Sequence, residues 1–168
     1  MAPPPAPSAI AHHPAPSTPL MRAAQEGDLD ACKSLVAQGE KPDLTNEHGF
    51  DALIWACVMG HKDIVAYLVD EAGCKANVPP GKHTPLRGAG NYGHTEIVRF
   101  LLDRGADPSV PSAGGRTPLM GAAMNGRADI VAMLLEAGAD KSAKNDGGES
   151  ALDLAVAKGH DAVCKMLE

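Results

Sequence analysis

Residues 117–140 have the sequence TPLMGAAMNGRADIVAMLLEAGAD, which describes two short helices and the turns that close them. Thr117 is a good N-cap, because a short side-chain oxygen accepts a bond from a free backbone N–H of the first turn. Pro118 suits the first helical position, where the backbone N–H has no partner in any case. Gly126 can adopt the left-handed conformation that ends a helix. Apolar residues then recur at helical spacing and indicate a second helix: Ile130, Val131, Leu134 and Leu135.

The same features recur every 33 residues along the chain. Each copy has a helix-capping residue at its start: Thr18, Asp51, Thr84, Thr117 and Ser150. Each also has a glycine nine residues later: Gly27, Gly60, Gly93, Gly126 and Gly159. A fixed period of this length is typical of helical-repeat proteins, in which each unit buries its apolar face against its neighbours. The sequence therefore predicts an all-α solenoid of five stacked helix-turn-helix units with short hairpin loops, covering 18–50, 51–83, 84–116, 117–149 and 150–168.

The repeated pattern resembles that of the ankyrin family. Thr-Pro-Leu, small paired residues, Gly-His, Ile-Val, Leu-Leu and Gly-Ala-Asp follow one another almost completely at 84–107 and 117–140, and more loosely in the other units. The family's histidine after Thr-Pro-Leu is replaced in every unit, by Met21, Ile54, Arg87, Met120 and Asp153. The resemblance implies a protein–protein interaction module. It also implies that the hairpin tips and the inner face of the first helices form a concave groove for the partner.

The groove positions predict a set of partner-binding residues. Phe50, Trp55 and Tyr92 are three of the five aromatic residues of the chain, and all fall on these positions. Exposed Trp and Tyr are common binding hot spots, so we expect an apolar centre in units two and three. The alternative is that Trp55 fills space between these two units, since a large indole is seldom fully exposed. The predicted set is Phe50, Trp55, Val58, Met59, His83, Tyr92, Arg116 and Met124.

Composition argues against several other functions. The net charge of −6, from 15 basic and 21 acidic residues, disfavours a nucleic-acid binder, which normally carries a basic face. His61, His94 and His160 lie a whole repeat apart, or about 10 Å, which is too far to share one metal ion. No cysteine pair has metal-ligand spacing, and no catalytic motif stands out. We therefore expect no enzyme activity, no catalytic residue, no metal, no cofactor and no small-molecule substrate.

No apolar stretch is long enough to cross a membrane, and no secretory signal precedes the repeats. These features favour a cytoplasmic protein, with the nucleus as the alternative, that is monomeric on its own. Residues 1–15, MAPPPAPSAIAHHPA, predict a disordered Pro/Ala-rich tail before the repeat domain at 16–168.

Two roles remain open at this point. The first is a soluble adaptor, inhibitor or assembly factor that captures a partner protein reversibly in the groove. The second is a permanent structural subunit of a larger assembly, in which the convex helices carrying Tyr67 and Phe100, or the tail, are also occupied. Asn77 matches a hairpin position at which some ankyrin proteins resemble substrates of an asparaginyl hydroxylase, but a structural role in the turn is the favoured interpretation.

Overall fold

The structure, a computed structural model, describes residues 16–168, so the predicted tail at 1–15 lies outside the described residues. The described part is all-α, as predicted, and contains ten α-helices, one 3₁₀ turn at Ala113–Gly115 and no β-strand. We number the helices α1 to α10 in chain order: α1 Pro19–Glu26, α2 Leu29–Ala37, α3 Ala52–Met59, α4 Lys62–Asp70, α5 Pro85–Tyr92, α6 Thr95–Asp103, α7 Pro118–Met124, α8 Ala128–Glu136, α9 Ala151–Lys158 and α10 Asp161–Leu167.

The chain divides into two compact units, one ending at Lys75 and one covering Ala76–Glu168. In the first unit, α1 packs against α2 and α3, and α4 packs against α2 and α3. In the second unit, α5, α7 and α9 pack in one row, and α6, α8 and α10 pack in another. Each row consists of equivalent helices from successive repeats, which is the packing expected when every unit buries its apolar face against its neighbours.

The predicted helix starts are confirmed at all five capping residues. The side-chain oxygens of Thr18, Asp51, Thr84, Thr117 and Ser150 each accept a hydrogen bond from the backbone N–H three residues later. The repeat glycines all have positive φ, between 66° at Gly126 and 85° at Gly60. The first helix of each repeat therefore begins and ends where the sequence indicates.

The second repeat has one extra residue in the turn after its second helix. In the other three complete repeats, this turn is closed by a hydrogen bond from a backbone N–H to the carbonyl of a leucine five residues earlier. An example is the bond from Ala106 N to the Leu101 carbonyl, at 2.9 Å. In the second repeat the N–H of Cys74 reaches back six residues to the carbonyl of Leu68, at 2.8 Å. The turn of the second repeat therefore has a shape that the other complete repeats do not share. Asn77 follows this turn, and both ends of its amide are used: its Nδ2 donates to the Gly105 carbonyl and its Oδ1 accepts from Asp107 N, each at 2.8 Å.

Two of the Gly-His histidines, His61 and His160, connect their repeats to the preceding repeat. The Nε2 of His61 donates to the carbonyl of Gln25 at 3.1 Å, and the Nε2 of His160 donates to the carbonyl of Met124 at the same distance. The imidazole of His160 lies directly over Gly126, where an added Cβ would come within 2.7 Å of Nδ1. The position requires glycine for a second reason beyond its backbone conformation, since any side chain would displace the ring.

Other groups partly replace the missing family histidines. The sulfur of Met120 accepts a long hydrogen bond from Thr117 N at 3.5 Å, and Asp153 Oδ2 accepts from Ser150 N at 2.8 Å. Each bond closes a reciprocal capping arrangement at the start of its helix. The side chain of Ile54 has no polar atom that could make such a bond. Two replacements remain. The sulfur of Met21 accepts a long hydrogen bond from Ser17 Oγ at 3.6 Å, and Arg87 has a different environment that bears on function.

Candidate partner-binding surface

Three of the predicted partner-binding residues are part of the core. Phe50, Trp55 and Val58 are only 2%, 1% and 2% exposed. The rings of Phe50 and Trp55 are in contact, with centroids 5.5 Å apart and planes tilted by 42°. The prediction of an exposed apolar cluster at these three positions is therefore wrong. The cause is the size of the side chains, because burying a Trp and a Phe stabilises the fold by several kcal/mol, roughly 1.5–3 for each large apolar side chain.

The first unit keeps one accessible residue of the predicted set. Met59, at the end of α3, is half-buried, and it is the predicted residue of this unit that a partner could touch. A shallow pocket of about 350 Å³ lies between α1 and α2, and its lining includes Arg22, Glu26 and Leu35. Arg22 and Glu26 are exposed and lie on the first helix.

The other predicted residues belong to the second unit and are accessible. His83 precedes α5, Tyr92 ends α5, and both are half-buried. Arg116 is exposed and follows the 3₁₀ turn at Ala113–Gly115, while Met124 ends α7 and is half-buried. The ring of Tyr92 stacks on His94 at a centroid distance of 6.5 Å. These residues come from the starts and ends of neighbouring first helices in the second unit, in an arrangement that a bound segment could span.

Arg87 lies next to this set, and the sequence analysis did not include it. It occupies the third position of α5, where its backbone N–H donates to Thr84 Oγ1 at 3.1 Å. Its guanidinium Nη2 donates to His83 Nδ1 at 3.0 Å. Burial and the neighbouring charge of Arg116 lower the pKa of Arg87, while Tyr92 opposes that shift. The departure from the family histidine at position 87 was the available signal, and it could have identified this residue.

α7 is shaped to receive the side chains of α5. Gly121 faces Arg87 and Asn91, and a Cβ at this position would lie 3.4 Å from Arg87 Cγ and would collide with Asn91 Oδ1. That amide oxygen is buried and has no hydrogen-bond partner among the described residues. The glycine therefore allows the two polar side chains of α5 to lie close against the backbone of α7.

Arg87 and Arg116 have no acidic partner among residues 16–168. Neither Arg87 nor Arg116 has a carboxylate oxygen within the 4.0 Å limit of an ion pair in that range. Asp146 comes close to the backbone of Gly115, beside Arg116, and its N–H donates to the Gly114 carbonyl at 3.1 Å. The second unit thus presents two arginines and a histidine together on a chain whose net charge is −6.

Comparison with known proteins agrees with this architecture. A family profile described as ankyrin repeats (3 copies) matches residues 20–112 and 109–168, which together span most of the chain. The chain belongs to the ankyrin-repeat family. Ankyrin repeats generally mediate protein–protein interactions, and the family is typically non-catalytic.

A curated relative illustrates how such repeats occur within larger proteins. The chain is 39% identical over 56 residues to the eye-specific diacylglycerol kinase of Drosophila melanogaster. The match covers 33% of this chain but only 4% of that enzyme, so this chain spans a small fraction of its relative's length. A likeness confined to repeats does not extend the kinase activity to this chain.

Two further features of the described residues bear on other classes of site. Within 16–168, no helix is both long and apolar enough to span a bilayer. Over the same range, no three His, Cys, Asp or Glu side chains lie close enough together to hold a metal ion.

Proposed function

We propose that this protein is a binding module that holds a segment of a partner protein against the second unit. The contact surface consists of His83, Tyr92, Arg116 and Met124, with Arg87 beside them. The observation that carries the proposal is that these side chains are accessible on a chain whose family generally mediates protein–protein interactions.

The division between stacking and accessible residues supports this placement. The stack is built by buried apolar side chains such as Leu86, Leu119 and Ile130, each at most 2% exposed. Packing does not require an aromatic ring at the end of α5, because the equivalent position of the next repeat, directly after α7, carries Asn125. Tyr92 has two side-chain torsions and a polar tip, which makes it a suitable contact residue at low entropic cost.

The role that fits this surface best is an adaptor, inhibitor or assembly factor that releases its partner. A permanent structural subunit is the second candidate, and one observation favours it. Phe100 on α6 is a half-buried aromatic on the other row of helices, with the Arg104 guanidinium 4.3 Å above its ring. A second occupied face would use this residue.

An affinity pull-down from the source cell tests both roles. Tagged wild-type protein is compared with Tyr92→Ala and with Phe100→Ala, which removes an aromatic of similar exposure from the same unit. Both variants are first checked for helical content and melting temperature. Loss of associated proteins from Tyr92→Ala alone supports the proposed surface and the adaptor role.

The remaining outcomes are equally informative. Loss from both variants favours the permanent subunit. Loss from Phe100→Ala alone places the partner on the second helices, and undiminished recovery by both variants excludes these two surfaces as contact sites.

A further inference from the structure

We propose that Arg87 and Arg116 form a binding site for an oxyanion, a carboxylate or a phosphate carried by a peptide segment of the partner. This inference rests on the proposed function, because it assigns the chemistry that the same surface recognises.

Arg87 is held in one place before any ligand arrives. The N-cap of α5 fixes its backbone, and His83 Nδ1 accepts one of its five N–H groups at 3.0 Å. Its Cγ lies close to Gly121, where no side chain competes for the space. A guanidinium held in this way loses less freedom when it binds, so more of each hydrogen bond appears as affinity.

The charge of Arg87 is only partly compensated in the isolated chain. Its side chain is half-buried, and an imidazole that accepts a hydrogen bond is neutral and supplies no counter-charge. Taking a cation out of water is unfavourable unless an anion pairs with it. Arg116 occupies the position of His83 in the next repeat, and the two loops are joined by a hydrogen bond from Gly81 N to the Pro111 carbonyl at 3.0 Å. Its positive charge repels that of Arg87. An oxyanion between the two guanidinium groups would relieve both effects.

The ligand chemistry follows from the donors. Arginine presents a planar set of N–H groups that matches the paired oxygens of a carboxylate or a phosphate. Tyr92 ends the same helix as Arg87; burial raises the pKa of its hydroxyl, and the positive charge of Arg87 opposes that shift. Met124 is a half-buried apolar residue at the end of the next first helix, α7. These neighbours fit an acidic or phosphorylated residue flanked by an apolar one, and they favour a peptide over a free ion.

The test uses the full chain with arginine labelled by ¹⁵N, and it follows the Nε–Hε signals by NMR during peptide titrations. Three blocked peptides, Ala-Leu-X-Leu-Ala, carry glutamate, phosphoserine or glutamine at X. We expect the glutamate or the phosphoserine peptide to bind roughly tenfold more tightly than the glutamine peptide, as for a charge-assisted bond. The Arg87 and Arg116 signals should move most.

Variants separate a local site from general attraction. Arg87→Gln and Arg116→Gln should each weaken binding of the anionic peptide by about tenfold. The control Arg99→Gln removes the same charge from an exposed position on α6 and should change affinity by less than about twofold, because distant surface charges are screened. If an arginine variant does not fold, the comparison of the three peptides on wild-type protein still shows whether binding requires an anionic residue at X.

Each outcome bears on the proposal. Binding of only the phosphoserine peptide identifies phosphate as the source of the oxyanion, and binding of only the glutamate peptide identifies carboxylate. Equal binding of the glutamine peptide, equal loss in Arg99→Gln, or unmoved Arg87 and Arg116 signals overturns the site. If these failures occur while Tyr92→Ala still loses its partners, the proposed function stands and only the oxyanion site is wrong.

Discussion

Substituting Gly126 by alanine tests how the repeats are joined, and Gly159 provides a matched control. Both glycines occupy the same repeat position and have similar φ angles, 66° and 72°. An added Cβ at Gly126 would come within 2.7 Å of His160, whereas one at Gly159 would meet nothing within 4 Å. Both substitutions therefore place an alanine in the same strained backbone conformation, but only Gly126→Ala also displaces the imidazole of His160.

The magnitudes follow from these contacts. Left-handed backbone costs an alanine about 1–2 kcal/mol, partly offset because alanine restricts the unfolded chain by about 0.4–1 kcal/mol. Gly159→Ala should therefore lower the free energy of unfolding by about 1 kcal/mol. Gly126→Ala should also lose the His160 to Met124 hydrogen bond, about 0.5–1.5 kcal/mol, together with ring packing, for a total of roughly 2–3 kcal/mol.

Urea denaturation followed by circular dichroism at helical wavelengths measures both variants. A third variant, His160→Ala, removes the ring, and in that background Gly126→Ala should cost no more than Gly159→Ala does in the wild type. Equal losses for Gly126→Ala and Gly159→Ala in the wild-type background would refute the reasoning, because the imidazole contact would then contribute nothing.

Three further predictions follow from the burial of individual side chains. Burial raises the pKa of Asp51 from 3.8 to about 6, so the folded state holds its proton more tightly and this carboxyl destabilises the fold as pH rises through that range. The Asp51→Asn variant keeps an N-cap but has no charge to bury. Its free energy of unfolding in urea, relative to that of wild type, should therefore rise by roughly 2 kcal/mol between pH 4.5 and pH 7. A difference between the two proteins that does not change with pH would contradict this. Among the four cysteines, Cys164 should react first with a thiol reagent under native conditions, because the other three are buried. Cys57 is fully buried, and burial raises the pKa of its thiol well above the usual value, so little reactive thiolate forms. Peptide mapping by mass spectrometry measures the order of modification, and modification of Cys57 before Cys164 would contradict the prediction. Trp55→Ala should lower the free energy of unfolding by about 3–5 kcal/mol, as expected for a buried aromatic, and a loss below about 1 kcal/mol would mean that the indole is not part of the core.

The periodicity of the sequence predicted the fold because each repeated residue has a local role. Thr117 and Ser150 cap helices through their own side chains, and the glycines supply backbone conformations that other residues adopt at a cost. The irregular turn at Cys74 likewise reflects one extra residue within its repeat. Such features depend on neighbours along the chain, which a sequence displays directly.

The candidate site was harder to predict because exposure depends on packing between distant segments. Trp55 falls on a groove position by register, but the space around it is filled and the side chain is buried. Arg87 was noted only as a replaced histidine, whereas its bond to His83 and its closeness to Arg116 depend on rotamers and tertiary placement. Position in the repeat specified which helix face a residue occupies, and side-chain size and charge then determined whether it remained accessible.

Hydrogen exchange on the complex recovered by the wild-type protein tests the central claim most directly. Amide exchange is measured by mass spectrometry with and without the bound partner. We predict added protection at residues 79–92 and 111–124, which contain His83, Arg87, Tyr92, Arg116 and Met124, and no change across α6 at Thr95–Asp103. Protection confined to α6 and α8, with residues 79–92 unchanged, would contradict the proposed partner-binding surface.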